Sequence, residues 1–338
     1  MTKICLIPNV YGVGGLVSFQ AKFSAALERR GIAISRDLND PAYDAVLVTG
    51  GTRDLVGLWR AHRRGVRVVQ RLDGINWIHR RRGGSLRHFL RAEYGNQVLA
   101  LIRQQFATHI VYQSAFVRDW WQDWFGRTRR PFTVIHNGVD LRSYTPEGPH
   151  TRPTDRFRML VVEGSLAGSL TTGLDLALEL AGHIAGNARL PLELQVVGRV
   201  EERKQQESRR RSRVPLEFTG VVPREQIPAL DRSAHLLFSA EINAPCPNSV
   251  IEALACGLPV AAFQTGALPE LVTGDAGRLV PFGGDPWKLE QPDLASLASA
   301  AAEILADPDH FRRAARLRAE EAFGLDEMVE RYLEILLG

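Results

Sequence analysis

The stretch from Leu236 to Val272 most constrains the fold of this chain, because it gives strand, loop, short helix and strand in close succession. Its apolar runs Leu236–Ser239 and Val260–Phe263 have the length and composition of buried parallel strands. Between them, polar Asn248 precedes a helical run that Gly257 is placed to end. In a parallel α/β sheet such a unit puts a helix N-terminus at the carboxyl edge, where phosphates and other ligands bind.

Strands alternate with helices on both sides of a segment at residues 145–155 that is rich in Pro, Thr and Gly. In each half, apolar runs of strand length are followed by helical patterns. This alternation predicts an α/β protein with two doubly wound sheets, joined by a linker in the Pro-rich segment. The length of 338 residues fits two domains. We place the first domain at residues 1–148 and the second at 149–324.

Residues 248–272 resemble the donor-binding signature of the family 4 retaining glycosyltransferases, which have the two-domain GT-B fold. The residues that carry the resemblance are Glu252-Ala253-Leu254-Ala255-Cys256-Gly257-Leu258-Pro259-Val260 and Gly266-Ala267-Leu268-Pro269-Glu270. Asn137-Gly138-Val139-Asp140 matches a second family motif, at the end of the first domain. The resemblance implies two Rossmann-like domains that face a cleft. It also implies a C-terminal helix, at about residues 325–338, that crosses back to the first domain.

The sequence departs from the family pattern in two places. The first Glu of the family motif would stand at position 244, which is Ala244, and Glu241 lies three residues too early to be its simple substitute. The loop at residues 163–173 has no basic residue, although the family usually places an Arg and a Lys there for the donor diphosphate. Backbone amides, Arg199 and four loop hydroxyls remain to bind phosphate. The hydroxyls are those of Ser165, Ser169, Thr171 and Thr172.

The resemblance implies a hexosyltransferase-like enzyme that needs no metal. It would move a sugar from a UDP- or GDP-linked donor to an acceptor hydroxyl, with retention at the anomeric carbon, in glycan or glycoconjugate biosynthesis. No cofactor is expected beyond the donor, whose phosphate is thought to help to deprotonate the acceptor. The two departures favour an alternative, a degenerate non-catalytic partner protein that binds a sugar nucleotide. A GT-B enzyme of other chemistry, such as a sugar-nucleotide epimerase, is a third hypothesis.

On the donor side, the resemblance assigns the ribose hydroxyls to Glu252 and the neighbourhood of the diphosphate to Asn248 and Ser249. A structural alternative exists for Glu252, because Ser249-x-x-Glu252 also fits a capping box. The remaining predicted donor contacts are Gly164, Ser165 and Arg199 for the phosphates and Val222 for the base.

On the sugar and acceptor side, Asp73 stands where the family often has a His that touches the donor sugar. With Glu252 it completes the predicted catalytic pair; the alternative is a charged turn residue paired with Arg71. The other residues predicted here are Gly14 and Gly15, in a Gly-rich strand-to-helix turn, and Asn137. No metal ligands are predicted.

The two halves of the chain carry opposite net charge. Residues 1–150 hold 22 Lys and Arg against 11 Asp and Glu, and since the whole chain has 42 against 38, residues 151–338 hold 20 against 27. The basic half predicts peripheral contact with an anionic membrane, for which the arginine-bearing helix expected at residues 85–107 is a candidate. An ordinary amphipathic helix on a solvated, arginine-rich surface is the alternative. Nucleic acid is not an expected partner.

The sequence predicts a cytoplasmic protein that contacts the inner membrane face at most peripherally. It has no run of about 18 apolar residues, and its first residues lack a signal-peptide pattern. Its three cysteines have no metal-like spacing, which favours reduced, structural thiols.

Overall fold

The computed structural model describes residues 2–12, 14–81, 83, 85–166, 171–187 and 191–338. The chain forms two compact units, one from residues 1–138 with 325–338 and the other from residues 139–324. The division therefore lies earlier in the chain than the boundary expected at residue 148. The Pro-rich segment belongs to the second unit, where the Arg232 guanidinium donates hydrogen bonds to the carbonyl oxygens of Thr145 and Pro149.

The first unit is built on a parallel sheet whose six described strands lie in the order β2-β1-β3-β4-β5-β6. Its strands are β1 Lys3–Ile7, β2 Ala33–Ser35, β3 Ala45–Thr49, β4 Arg67–Leu72, β5 His109–Tyr112 and β6 Phe132–Val134. Its helices before the second unit are α1 Gly15–Arg29, α2 Leu55–Arg63, α3 Leu86–Leu101 and α4 Ala115–Phe125. Apolar clusters cover both faces of the sheet, which explains why the central strands read as continuous apolar runs.

Polar side chains at their N-caps fix where three of these helices begin. Asp54, Ser85 and Ser114 each accept a hydrogen bond from the backbone N–H three residues further on. After α3 the chain continues into one π-helical turn at Ile102–Phe106, so the long helix predicted over residues 85–107 is present with a change of winding near its end.

The second unit is built on a second parallel sheet, with its six described strands in the order β12-β11-β10-β7-β8-β9. Its strands are β7 Phe157–Ser165, β8 Leu192–Arg199, β9 Leu216–Gly220, β10 Leu236–Phe238, β11 Val260–Phe263 and β12 Gly277–Val280. Its helices are α5 Thr171–Asn187, α6 Glu202–Arg211, α7 Ile227–Ser233, α8 Asn248–Ala255, α9 Leu268–Leu271, α10 Leu294–Ala306 and α11 Pro308–Ala322.

The end of α8 follows the prediction from the sequence. Gly257 has a left-handed φ of 68°, and its N–H donates to the carbonyl of Leu254. The next N–H, of Leu258, reaches back to the carbonyl of Ala253, which completes a Schellman motif. Glycine is needed here because a side chain would strain this backbone conformation.

The last helix, α12 at Leu325–Leu337, belongs to the first unit. Its Tyr332 ring lies 5.4 Å from the rings of Phe19 and Phe23 on α1, and Met328 and Leu336 join the same core. The predicted return of the C-terminal helix to the first domain is therefore confirmed, as are the two doubly wound sheets. None of the helices within the described residues is long and apolar enough to cross a bilayer.

Candidate active site

The predicted donor residues of the second unit meet at the carboxyl edge of its sheet. The strand order reverses between β7 and β10, and such a switch point is the usual ligand site of an open parallel sheet. Gly164 and Ser165 end β7, although the sequence analysis assigns them to a loop. They extend the strand because, after a register shift beyond Val162, Ser165 pairs with Arg199 and the Leu166 N–H donates to the Arg199 carbonyl at 2.9 Å.

Arg199 is the predicted cation of this edge, and its position is consistent with that role. It ends β8 with an exposed side chain that forms no ion pair with any residue the structure describes. Of the predicted loop hydroxyls, Ser169 lies outside the described residues.

The start of α8 carries the remaining donor residues. Glu252 is 7% exposed, and Asn248 and Ser249 are half-buried in the first turn. The N-cap is Pro247, which makes no side-chain capping bond, so Asn248 is the first helical residue and not the cap. Ser249 is therefore inside the helix, and the capping box offered as the alternative for Glu252 is not formed. The first N–H groups of such a helix are free to face an anion.

Ala244 occupies the position of the missing family Glu and is fully buried. Its carbonyl accepts a hydrogen bond from the Ala267 N–H at 2.9 Å. A Cβ at Gly266, where φ is 60°, would lie 2.4 Å from that same carbonyl oxygen. The loop after β10 thus packs against the turn after β11. The backbone of Ala244 makes this contact, through the hydrogen bond from Ala267 and the close approach of Gly266.

Two carboxylates that the sequence analysis did not place in the site, Glu163 and Glu241, lie on either side of the switch point. Glu163 lies near the end of strand β7, and Glu241 follows strand β10. Both side chains are half-buried. Burial raises the pKa of each, and the negative charge of Glu241 raises the pKa of Glu163 further. A protonated carboxyl can donate a hydrogen bond to a phosphate or hydroxyl oxygen, which an ionised one cannot. The sequence signal that could have placed Glu163 in the site is its position directly before Gly164, near the end of β7.

The surroundings of Glu252 are acidic as well. Burial, and after it the charge of Glu252, raise the pKa of Asp231 on α7 well above its usual range. At the edge of the sheet after β9, Val222 is half-buried and packs against the core cluster that includes Val197. Its predicted contact with the base stays a prediction, as do the other predicted contacts of this unit.

In the first unit, a closed polar network occupies the carboxyl ends of β4 and β5. Arg71 is 1% exposed; its Nη1 donates to Asp73 Oδ1 at 2.5 Å and its Nη2 to Asn137 Oδ1 at 2.9 Å. Gln113 donates to the same Asp73 oxygen and accepts from Asn137 Nδ2 at 3.1 Å. The Arg71 guanidinium also lies 4.0 Å from the centre of the Phe19 ring. Four polar side chains thus fix one another, and Arg71 and Gln113 are members that the site prediction omitted.

This network bears on both interpretations of Asp73. The predicted pairing with Arg71 is present, through Oδ1. Asp73 Oδ2 accepts no hydrogen bond from the described residues, and the side chain is 34% exposed, so this oxygen remains available to a hydroxyl. Asn137 is only 4% exposed and holds Arg71, which makes it a framework residue here.

Gly14 and Gly15 lie at the N-terminus of α1, on the same edge of the first sheet. Gly14 is exposed, has a φ of 135° and precedes the first turn of the helix without a side-chain cap. A Cβ there would meet no atom within 4 Å, so its backbone conformation and not crowding favours glycine. Within the described residues, no three His, Cys, Asp or Glu side chains are grouped as a metal site requires.

Comparison with solved structures defines the class of fold. Sucrose-phosphate synthase from Thermosynechococcus elongatus superposes with a TM-score of 0.73 at 17% identity, over 99% of this chain and 98% of that chain. HepE from Anabaena, solved in complex with UDP-glucose, gives a TM-score of 0.70 at 18% identity, over 99% of both chains. The whole chain therefore has the GT-B fold.

Comparison with sequence families is more specific for the second unit. The family model described as glycosyl transferases group 1 matches residues 158–307. A curated relative, the GDP-mannose-dependent alpha-(1-6)-phosphatidylinositol dimannoside mannosyltransferase of Mycobacterium tuberculosis, is 34% identical over 121 residues, which are 33% of this chain and 27% of the relative. The matches span only 26% to 30% of the curated relatives. The second unit thus resembles group 1 glycosyltransferases over residues 158–307, in agreement with the resemblance seen in the sequence.

Proposed function

We propose that this protein is a glycosyltransferase that moves a sugar from a nucleotide diphosphate sugar to an acceptor hydroxyl. The observation that carries the proposal is the carboxyl edge of the second sheet. There the switch point, an uncapped helix N-terminus and buried Glu252 coincide with the region that matches group 1 glycosyltransferases. Names of similar proteins support a nucleotide-linked donor, since one is GDP-mannose-dependent and another was solved with UDP-glucose.

Each predicted residue has a role in this proposal. Glu252 accepts hydrogen bonds from the ribose hydroxyls, and the first turn of α8 at Asn248 and Ser249 faces the diphosphate. Ser165 and Arg199 bind the phosphates, with the Gly164 backbone beside them, and Val222 faces the base. Asp73 accepts a hydrogen bond from a sugar hydroxyl through Oδ2, on the side of Gly14 and Gly15, while Asn137 acts through Arg71.

The proposed reaction is retaining and needs no metal. The bond between the anomeric carbon and the phosphate oxygen breaks, and the acceptor oxygen bonds to the anomeric carbon on the same face. The acceptor proton passes to an oxygen of the departing nucleoside diphosphate, so no side chain has to act as general base. The raised pKa values of Glu163 and Glu241 reduce the negative charge that the diphosphate meets in mildly acidic solution, and Arg199 adds a positive charge.

Calorimetric titration with a panel of UDP- and GDP-linked sugars tests the donor site. We expect one donor to bind with a Kd in the micromolar range, about −8 kcal/mol, and Glu252→Ala to abolish the binding. Glu217→Ala is the matched control, because Glu217 is an exposed carboxylate on β9 of the same unit. If no donor binds below about millimolar, or the control loses as much as Glu252→Ala, the donor site is not where we place it.

A second function, a non-catalytic sugar-nucleotide-binding partner protein, is favoured by one observation. The family Glu is replaced by Ala244, whose buried backbone is committed to the Gly266 turn. Release of free sugar from the bound donor distinguishes the two functions, since it requires cleavage of the anomeric bond. Donor binding with no hydrolysis and no transfer to any acceptor would support the binding protein over the enzyme.

A further inference from the structure

Helix α3 of the first unit exposes an unusual number of large apolar side chains. Leu86, Leu90 and Tyr94 follow one another at four-residue intervals, so they share one face of the helix. Their exposed fractions are 72%, 58% and 61%, and Leu101 at the end of the helix is 42% exposed. An amphipathic helix of a single folded domain normally buries such a face.

Three arginines lie beside this apolar face. Arg87 and Arg91 are also four residues apart, so they share a second face, displaced by one residue from the first. Together with Arg53, Ser85 and His88 they line an open pocket of about 620 Å³. Arg53 comes from the loop before α2, so two separate segments of the chain bring their cations to one pocket.

The arginines of this pocket form no ion pair within the described part of the chain, and all three are exposed. Arg80, which is close to them in sequence, differs because it is paired with a carboxylate. It donates to both oxygens of Glu93, at 2.5 and 2.7 Å, and lies 4.3 Å from the centre of the Trp124 ring. The hydrogen bond from Arg80 is the main reason why the pKa of Glu93 falls to about 2. Three unpaired cations around one pocket repel each other, which a bound anion would relieve.

We propose that the apolar face and the arginine pocket together form a docking surface for an anionic lipid bilayer. The pocket would bind a phosphodiester headgroup, and Leu86, Leu90 and Tyr94 would enter the boundary between headgroups and acyl chains. This occupant explains both features, whereas free phosphate would fill the pocket and leave the apolar face in water. The excess of basic residues in the first 150 positions adds long-range attraction to the same surface. The inference does not depend on the proposed glycosyl transfer.

Vesicle cosedimentation of the full chain tests this docking surface. We expect binding to vesicles of equimolar phosphatidylcholine and phosphatidylglycerol, weak binding to pure phosphatidylcholine, and binding that weakens but stays measurable as salt is raised. The triple variant Arg53→Gln, Arg87→Gln, Arg91→Gln should weaken binding at least about tenfold, given the attraction of each arginine to an anionic surface. The double variant Leu86→Ser, Leu90→Ser should weaken it by a similar factor at high salt, where charge attraction is screened.

The second unit provides matched controls. Arg203→Gln, Arg210→Gln, Arg313→Gln removes the same charge from exposed arginines, and Leu317→Ser with Val221→Ser removes exposed apolar side chains. Both controls should bind as the wild type does. All of these positions are exposed, so a melting temperature for each variant verifies that it is folded.

Three results would overturn the proposal. The first is unchanged vesicle binding of the arginine triple variant, and the second is an equal loss in its control. The third is calorimetric binding of inorganic phosphate that depends on the three arginines, with no effect of the leucine substitutions on vesicle binding. That last outcome would assign the pocket to a free phosphorylated ligand.

Discussion

The carboxyl edges of the two sheets use their polar residues in opposite ways. In the first unit, Arg71, Asp73, Gln113 and Asn137 hydrogen-bond to one another in a closed network, which leaves one carboxylate oxygen of Asp73 for an outside hydroxyl. In the second unit, Arg199 has no carboxylate partner among the described residues, α8 begins without a side-chain cap, and the charge of Glu241 raises the pKa of Glu163 beyond the effect of burial. A closed network holds a shape in the absence of ligand, whereas an open edge is completed by what binds to it.

The largest effect should come from breaking the closed network. Arg71→Leu leaves Asp73 and Asn137 without their buried cationic partner, and we expect the free energy of unfolding to fall by about 3–5 kcal/mol. Tryptophan fluorescence during urea denaturation reports mainly on unfolding of the first unit, because five of the six tryptophans lie before residue 138 and only Trp287 lies in the second unit.

Arg91→Leu is the control for this variant, because Arg91 is exposed and forms no ion pair with the described residues. Its cost should stay within about 0.5 kcal/mol. Equal losses for the two variants would show that the network contributes no more to stability than a surface arginine does.

A smaller effect should appear when the open edge is titrated. The pKa values of Glu163 and Glu241 are raised to about 8 and about 7, so both carboxyls are protonated in mildly acidic solution and ionise as the pH rises through this range. Ionisation places negative charge beside the diphosphate, so donor affinity should fall by roughly tenfold, or about 1.4 kcal/mol, between pH 6 and pH 9. The ligand should be a nucleotide sugar, because a terminal phosphate titrates near pH 6 itself.

Glu241→Gln should flatten this pH profile, since the amide stays neutral throughout. Glu217→Gln, on the exposed face of β9, should leave the profile as it is in the wild type. A profile that Glu241→Gln does not change would remove the carboxylate pair from the donor site.

The smallest effect should follow the loss of the cation at this edge. Arg199→Gln keeps a donor group but no charge, and we expect donor affinity to fall about threefold to tenfold, the range of one ordinary hydrogen bond, because solvent screens the charge of the exposed Arg199 side chain. Arg203→Gln, an exposed arginine on α6, should change the affinity little. If the two variants behave alike, phosphate is bound by the backbone and by other side chains.

The sequence predicts most of the elements because most of them bury an apolar face. Two helices escape this signal for physical reasons. Helix α6 is almost wholly polar, with three arginines at its end, and so presents no apolar period to detect. Helix α2 has Val56 and Trp59 exposed, which blurs its amphipathic pattern.

The sequence predicts where the site lies on the sheet, but it does not predict which side chains of the site interact with each other. Parallel strands bring their carboxyl ends to one edge, so the order of motifs already places Gly164, Arg199 and Asn248 together. Which side chains then meet depends on packing between distant segments. Gln113 with Asn137, and Glu163 with Glu241, are examples that no local pattern reveals. The predicted cap of α8 is wrong, because Asn248 was expected to precede the helix, whereas Pro247 is the N-cap and Asn248 is the first helical residue.

The route of the chain has a consequence for how the protein is made. The second unit is inserted into the first, and its two ends, Val139 and Gly324, lie side by side in a β-bridge. The core of the first unit includes Met328, Tyr332 and Leu336, which follow the whole second unit in sequence. During synthesis, the ribosome therefore releases a complete second unit before the first has all of its core. The first unit, although its strands are made first, therefore completes its core last, when α12 packs beside α1 on the same face of the sheet.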